Sequence, residues 1–229
     1  MCGRFSQAER THRLAELYGA EPDDELPEES YNVAPTDPIR IVLESDDRRG
    51  LTAARWGFLP FWAGADGRRP PTWINARAET AWSSPTFGPA LRKQRCIIPA
   101  DAFYEWDRSG AMPQPYAIGA VKPGELLAFA GIWAPPARGA ERPSAAIMTT
   151  VPNALLATLH GRMPVVVAYE LIDAWLDPAA SPEELMPLLA PAADDALRMW
   201  PVSTAVNRVG TNGPDLLRPI ELPASLHLA

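Results

Sequence analysis

The 229-residue sequence contains only two cysteines, Cys2 and Cys96. Two cysteines form at most one disulfide, which excludes the dense disulfide framework of small secreted domains. The sequence has no run of about 18 apolar residues, and its N-terminus lacks the charged and then apolar pattern of a signal peptide. We therefore expect no membrane span and no secretory leader, and we expect the protein to be cytoplasmic.

Histidine and net positive charge are also scarce. The chain has three histidines, and no second histidine or cysteine lies near His160 at the spacing of zinc ligands. We therefore expect neither a metal nor a cofactor. The net charge of −7 argues against a protein that coats polyanions indiscriminately, because such a protein would be basic overall. A local basic patch remains compatible with this charge.

The position of Cys2 is the most unusual feature that the sequence does contain. Cys2 directly follows the initiator methionine in the segment MCGRFSQ. Aminopeptidases usually remove an initiator methionine that precedes a small side chain. Removal would leave Cys2 with a free α-amine beside its thiol, so two nucleophiles would share one residue. By contrast, Cys96 lies in the apolar run RCIIP and is interpreted as a small buried hydrophobe without a chemical role.

The distribution of apolar residues and prolines predicts an α+β fold. The spacing of Ser6 and Glu9 predicts a capping box at the start of a helix over residues 7–19. Helical spacing with acidic first turns predicts two more helices, over 168–176 and 182–189. Short β-rich runs predict strands over 39–44, 51–58, 95–100, 102–106, 115–120, 126–133 and 144–150. With 47% hydrophobic residues the chain can bury a full core, and we expect one domain spanning residues 1–229.

Glu105 is a candidate acid or base because it lies between two aromatic residues, Tyr104 and Trp106. A carboxylate in an apolar frame is desolvated, which raises its pKa and suits proton transfer near neutral pH. The alternative is that Glu105 faces solvent, since on a strand its side chain points away from those of Tyr104 and Trp106. The spacing alone leaves both interpretations open.

Other polar residues within apolar segments also have two interpretations. His160, in LHGRMPVVV, is either a structural histidine or a proton-transfer residue. Asn75, in WINARAET, is either a turn or cap residue or part of a site. Arg77 and Arg162 are either ordinary surface charges or ligand-binding residues.

Taken together, the motifs resemble those of one family, the SOS response-associated peptidase (SRAP) family, whose members process abasic sites in DNA. The resemblance spans nearly the whole chain and rests on these segments: MCGRF, YNVAP, RWGFLPFWA, INARAET, RCIIPADAFYEW, FAGIW, MTT, LHGRMPVVV and WPVSTAVN. It implies a single SRAP-type domain with mainly antiparallel β-sheets in a barrel-like core flanked by helices.

The resemblance also implies a reaction for Cys2. After removal of Met1, Cys2 would attack the ring-opened aldehyde of an abasic deoxyribose in single-stranded DNA and form a stable DNA–protein crosslink. An amine condenses with an aldehyde to give an imine, and a thiol two carbons away closes on the imine carbon to give a thiazolidine. The N-terminal position matters because an α-amine has a pKa of about 7.7–8.0, so a useful fraction is neutral at physiological pH.

By the same resemblance, three further residues would take part in the reaction. Asn75 would hold the Cys2 amine or the sugar, Glu105 would move protons during imine formation, and His160 would help to open the sugar ring. We expect the partner to be single-stranded DNA that contains abasic sites, and we expect a monomer in the cytoplasm, associated with the nucleoid.

The resemblance further implies a set of DNA-binding residues. The positions expected to meet phosphates are Arg4, Asn32, Arg77 and Arg162, which would confine positive charge to a groove. The segment 57–71 resembles a loop that stacks on or wedges against bases, with Phe61 and Trp62 at its tip. The alternative for these two aromatic residues is packing in the core.

Two other functions remain open at this stage. Cys2 with His160 and Glu105 or Asn75 could form a thiol hydrolase that acts on peptides or on the bond after Met1. The chain could instead be a non-covalent module that binds single-stranded DNA through Arg77, Arg162 and Trp62.

Overall fold

A computed structural model describes residues 2–45, 48–60, 62–63, 71–137 and 139–222. The strands are β1 (Phe5–Gln7), β2 (Glu21–Pro22), β3 (Ser30–Val33), β4 (Pro38–Ser45), β5 (Arg48–Trp56), β6 (Asn75–Arg77), β7 (Arg95–Ala100), β8 (Ala102–Asp107), β9 (Gln114–Ala120), β10 (Leu127–Ala134), β11 (Ser144–Thr150), β12 (Met163–Pro164) and β13 (Leu197–Pro201). Each strand that the sequence predicts is present.

Helices are short and lie between the strands. They are α1 (Thr11–Tyr18), α2 (Ala78–Ala81), α3 (Gly88–Lys93), α4 (Ala154–Ala157), α5 (Ile172–Leu176) and α6 (Pro182–Leu185). The two helices predicted in the second half each contain a 3-10 turn, at Tyr169–Leu171 and at Met186–Leu189. Among the described residues, no helix has the length and apolar character needed to cross a membrane.

The capping box predicted at Ser6 and Glu9 is wrong. Ser6 lies in β1, and its hydroxyl donates a hydrogen bond to Asp101 Oδ2 at 2.9 Å. The helix begins later, at Thr11. A capping box does form before α6, where Ser181 and Glu184 bond each other's main-chain N–H groups. The local pattern at Ser6 was therefore overridden by a hydrogen bond to a residue far along the chain.

Two sheets form the body of the described structure. One has five strands in the order β13-β9-β8-β1-β3, and the other has eight, including β12-β11-β10-β7-β4-β5-β2 with β6 beside β11. In the larger sheet β5 also pairs with β11, through Ser144 with Arg55 and Ala145 with Trp56. This pairing bends the sheet into a ring. The α+β class is confirmed, and the expected barrel-like core is a ring-like sheet closed by a short pairing.

The N-terminal strand β1 packs into the core. Phe5 of β1 packs edge-to-face on Trp56 and Phe129 of the larger sheet, with ring centroids 4.9 and 6.0 Å apart. On the other side, β1 pairs antiparallel with β3 and β8. The three-residue strand β1 therefore belongs to the smaller sheet, and its Phe5 side chain packs against the larger one.

Candidate active site

The segment that carries Cys2 is held in place by the side chain of Gln7. Gln7 Nε2 donates hydrogen bonds to the carbonyls of Arg40 and Pro99, both at 2.8 Å, and Gln7 Oε1 accepts from the Arg40 N–H at 2.7 Å. The buried Arg40 guanidinium in turn donates to the carbonyls of Gln7 and Glu9. These bonds fix the C-terminal end of β1 against β4 and β7, so the other end points in a defined direction.

Cys2 lies at the junction of the two sheets and is fully buried. Asn75 Nδ2, from β6 of the larger sheet, donates to the Cys2 carbonyl at 2.9 Å. Burial raises the pKa of the Cys2 thiol well above its usual range, and the charge of Glu105 raises it further. The structure therefore brings together three residues that the sequence places in separate motifs: Cys2, Asn75 and Glu105.

Glu105 is buried, with 7% of its surface exposed, so the solvent-facing interpretation is wrong. The reason differs from the one that the sequence suggests. Tyr104 and Trp106 belong to a hydrophobic cluster on one face of β8, whereas Phe103 packs in the cluster that contains Cys2. Because side chains alternate along a strand, Glu105 shares the face of Phe103 and is buried beside Cys2.

This burial is the main cause of a raised pKa at Glu105, and nearby positive charge, including that of His160, opposes it. A carboxyl group with a raised pKa exchanges protons closer to neutral pH than an exposed one. The His160 ring is therefore within electrostatic range of the Glu105 carboxyl.

His160 lies between α4 and β12, and its ring is oriented by the main chain of Arg162. The Arg162 N–H donates to His160 Nδ1 at 2.9 Å, and the Arg162 carbonyl lies 3.2 Å from the same nitrogen. An Nδ1 atom that accepts a hydrogen bond carries no proton, so the neutral ring has its proton on Nε2.

Arg4 and Asn32 form one hydrogen-bonded unit on the smaller sheet. Arg4 Nη1 donates to Asn32 Oδ1 and to the Val206 carbonyl, both at 2.8 Å. Asn32 Nδ2 donates to the carbonyls of Val206, Arg208 and Thr211 at 3.3, 3.2 and 2.9 Å. Asn32 is buried and engaged at both side-chain atoms, whereas Arg4 is partly exposed.

The two arginines expected to meet phosphates from the larger sheet have different environments. Arg77 is exposed at the end of β6. The Arg162 side chain is only 16% exposed and forms an ion pair with Glu79. Sequence analysis did not single out Glu79, although it lies two positions after Arg77 in INARAET. No spacing pattern links Glu79 to Arg162, because their contact is made only by the folded sheet.

Of the two aromatic residues assigned to the loop tip, Phe61 lies outside the described residues. Trp62 is 46% exposed and meets Trp73 edge-to-face at 6.4 Å. Trp62 also lines an apolar cavity of about 190 Å³, together with Phe58, Pro60 and Pro85 among others. An exposed aromatic ring beside an apolar cavity can stack on a planar ligand.

Several buried polar atoms in this region have no hydrogen-bond partner among the described residues. They include Asn75 Oδ1, Arg4 Nε and Arg162 Nε. Buried polar groups are normally hydrogen-bonded, so these atoms on three candidate site residues are candidate contacts for a polar ligand. Within the same described ranges, no group of three histidine, cysteine or acidic side chains could hold a metal ion.

Comparisons with known proteins agree on the relatives of this chain. Abasic site processing protein YoqW of Bacillus subtilis is 38% identical over 226 residues, covering 95% of this chain and 99% of the relative. Abasic site processing protein YedK of Escherichia coli K12 is 32% identical over 228 residues, covering 96% and 100%. Abasic site processing protein HMCES of Gallus gallus is 34% identical over 226 residues, covering 84% and 67%.

A solved structure has a similar fold. A crystal structure of a protein from Bacteroides thetaiotaomicron matches with a TM-score of 0.84 at 26% identity, covering 96% of this chain and 100% of that one. The model of the family described as SOS response associated peptidase (SRAP) matches residues 1–209. The chain therefore belongs to the SRAP family.

Proposed function

We propose that this protein processes abasic sites in single-stranded DNA by forming a covalent thiazolidine crosslink through Cys2 after removal of Met1. The names of its relatives support abasic-site processing. The observation that carries the finer proposal is the arrangement around Cys2. Asn75 holds the Cys2 main chain, and the buried carboxyl of Glu105 lies beside it.

The reaction needs an amine, a thiol and proton transfer, and no external oxidant or reductant. The α-amine nitrogen of Cys2 adds to the aldehyde carbon of the opened sugar, and the carbonyl oxygen takes a proton. That oxygen leaves as water with a second proton, which gives the imine. The sulfur then adds to the imine carbon while the thiol proton passes to the nitrogen. One water is released for each crosslink.

The three polar residues take complementary roles in these steps. Glu105 accepts a proton from the amine and returns it to the departing oxygen, because its pKa is raised by burial. His160, when protonated on both ring nitrogens, donates its Nε2 proton to the sugar ring oxygen as the ring opens, which leaves a neutral ring whose Nδ1–H faces the Arg162 carbonyl. The unpartnered Asn75 Oδ1 accepts a hydrogen bond from the Cys2 amine or from a sugar hydroxyl.

The state of the Cys2 thiol favours this reaction over a thiol hydrolase. A hydrolase uses a thiolate, whose formation requires a lowered thiol pKa. Burial raises the pKa of the Cys2 thiol instead, and the nearby Glu105 carboxylate raises it further. The amine is therefore the first nucleophile, and the thiol acts once the imine carbon is held next to it.

DNA contacts are divided between direct and supporting residues. Arg77 and Arg4 contact phosphates, since the side chain of Arg77 is exposed and that of Arg4 is partly exposed. Asn32 does not touch DNA, because its amide is buried and both its oxygen and its nitrogen are already hydrogen-bonded. It supports Arg4 by accepting a hydrogen bond from the Arg4 guanidinium. Trp62 offers stacking surface for bases, since its ring is partly exposed.

A crosslinking assay tests the proposal. Protein with Met1 removed is incubated with an abasic oligonucleotide, heated and separated on a denaturing gel. We expect a heat-stable adduct for the native chain and none for Cys2→Ala. Cys2→Ser should give no stable adduct, because an oxazolidine is far more labile than a thiazolidine. A stable adduct from protein with a blocked N-terminal amine would contradict the proposal.

A further inference from the structure

Glu79 and Arg162 form a two-point ion pair on the wall of the site. Arg162 Nη1 and Nη2 donate to the two carboxylate oxygens of Glu79 at 2.7 and 2.9 Å. Nη2 also donates to the main-chain carbonyl of Thr149 at 2.6 Å. The Arg162 guanidinium therefore connects Glu79 on α2 with Thr149 on β11, and both of its terminal nitrogens are held. Paired donors of this kind hold a side chain in one orientation.

The main chain of Arg162 faces His160 with both a donor and an acceptor. Its N–H lies 2.9 Å from His160 Nδ1, and its carbonyl oxygen lies 3.2 Å from the same atom. The N–H bonds the neutral ring, in which Nδ1 is bare. The carbonyl bonds the protonated ring, in which Nδ1 carries hydrogen. A neutral ring that gains a proton at Nδ1, and a protonated ring that gives up its Nε2 proton, each keep a hydrogen-bond partner on the Arg162 main chain and need not turn away.

We infer that Glu79 is a positioning residue for His160, which it orients by clamping Arg162. The inference rests on the proposed function, in which His160 transfers a proton to the sugar. Without the clamp, Arg162 loses two of its hydrogen bonds, and its amide and carbonyl no longer stay fixed beside Nδ1. His160 then samples both tautomers and more than one ring orientation.

The occupied donors of Arg162 distinguish this role from phosphate binding. Three of its five guanidinium hydrogens serve Glu79 and Thr149, and Nε is buried. A phosphate would have to compete with a two-point carboxylate contact that also lowers the pKa of Glu79 through its hydrogen bonds from Arg162. A phosphate that reaches Arg162 therefore meets a guanidinium that Glu79 and Thr149 already hold in one orientation.

Nitrogen-15 NMR of the histidine rings tests the positioning directly. The chain has only three histidines, and the exposed His12 is an internal reference. We expect well-separated Nδ1 and Nε2 shifts for neutral His160, typical of a single tautomer. In Glu79→Ala the separation should shrink toward that of His12, and Glu79→Gln should keep part of it. Unchanged shifts in Glu79→Ala would overturn the inference.

Single-turnover crosslinking at saturating abasic DNA gives the second readout. Glu79→Ala should slow the reaction about tenfold, a part of the roughly 10²–10⁴-fold that a positioned proton-transfer group supplies. It should have no further effect in a His160→Ala background. The matched control is Glu44→Ala, which removes another partly buried ion pair, with Arg49.

Measurements of DNA binding distinguish a positioning role of Glu79 from simple competition with phosphates for Arg162. If Glu79 only competes with phosphates for Arg162, Glu79→Ala will bind intact DNA more tightly and crosslink as fast as the native chain, which would overturn the inference. If the native protein forms no crosslink at all, the proposed function fails, while the NMR comparison still decides whether Glu79 orients His160.

Discussion

At the scale of single residues, the environment of Glu105 follows from strand geometry. The sequence identifies this carboxylate but suggests the wrong source of burial, because its aromatic neighbours lie on the opposite face of β8. The face that Glu105 shares with Phe103 is covered by the N-terminal segment, from a part of the chain about a hundred residues away. The choice of Glu105 as a candidate could thus be made from the sequence, whereas the residues that bury it depend on how the strands pair.

Glu105→Gln should make the protein more stable at neutral pH and less active. The folded-state pKa of Glu105 is raised mainly by burial, above its value in the unfolded chain. Below the pKa that Glu105 has in the unfolded chain, its carboxyl is protonated in both the folded and the unfolded state and does not lower the free energy of unfolding. As the pH rises from there through the folded-state pKa, the cost of a buried charge destabilises the native state.

Thermal unfolding of both proteins at about pH 4 and about pH 7.5 checks this. The melting temperature of Glu105→Gln should exceed that of the native chain at the higher pH and match it more closely at the lower one. If the native chain is the more stable of the two at neutral pH, then the Glu105 carboxylate stabilises the folded state and this prediction is wrong.

At the scale of elements, the short strand β1 directly follows the segment that contains Cys2. The sequence predicts a helix from residue 7, but Ser6 and Gln7 are extended because each finds a long-range partner, Asp101 for Ser6 and Arg40 with Pro99 for Gln7. Strands with a continuous apolar run, such as β7 (Arg95–Ala100), were predicted with their correct limits. Elements set by local pattern are predictable, and β1 is set by tertiary hydrogen bonds.

Gln7→Ala should destabilise the fold by about 1–3 kcal/mol, the usual cost of leaving buried polar groups unsatisfied. It should also slow crosslinking, because Cys2 lies five residues away on the same extended segment. Denaturant unfolding and the crosslinking rate measure the two effects.

The control for this variant is Gln114→Ala. Gln114 Nε2 also donates to two carbonyls, those of Pro115 and Val202, at 2.8 and 2.9 Å, but from the partly exposed end of β9. Its loss should cost less stability and leave the crosslinking rate unchanged. Equal slowing by both variants would mean that general stability, and not the position of β1, limits the reaction.

At the scale of the whole molecule, the site is assembled from four distant parts of an acidic chain. Cys2, Asn75 and Glu105 lie where the two sheets join, His160 lies within electrostatic range of Glu105, and the resemblance of their motifs to one family predicted these four candidates. The contact between Glu79 and Arg162 could not be predicted from the sequence, since the two residues are 83 positions apart. With a net charge of −7, DNA binding must depend on a few local cations.

Arg77→Ala should weaken binding to intact single-stranded DNA about equally for all sequences. The loss of one phosphate contact should reduce the slope of log affinity against log salt by about 0.7. The matched control is Arg218→Ala, which removes an exposed arginine paired with Asp215 at 2.8 Å. Fluorescence anisotropy over a range of salt concentrations gives both slopes. A loss confined to particular bases would show that Arg77 reads sequence instead.

The most direct test of the central claim is the intact mass of the protein after incubation with an abasic oligonucleotide. We expect one adduct whose mass equals the chain without Met1 plus the oligonucleotide minus one water. Borohydride should leave that mass unchanged, because a closed thiazolidine has no imine to reduce. An adduct that gains two hydrogens would show that the reaction stops at the imine, and the absence of any adduct with the Met1-free chain would contradict covalent capture by Cys2.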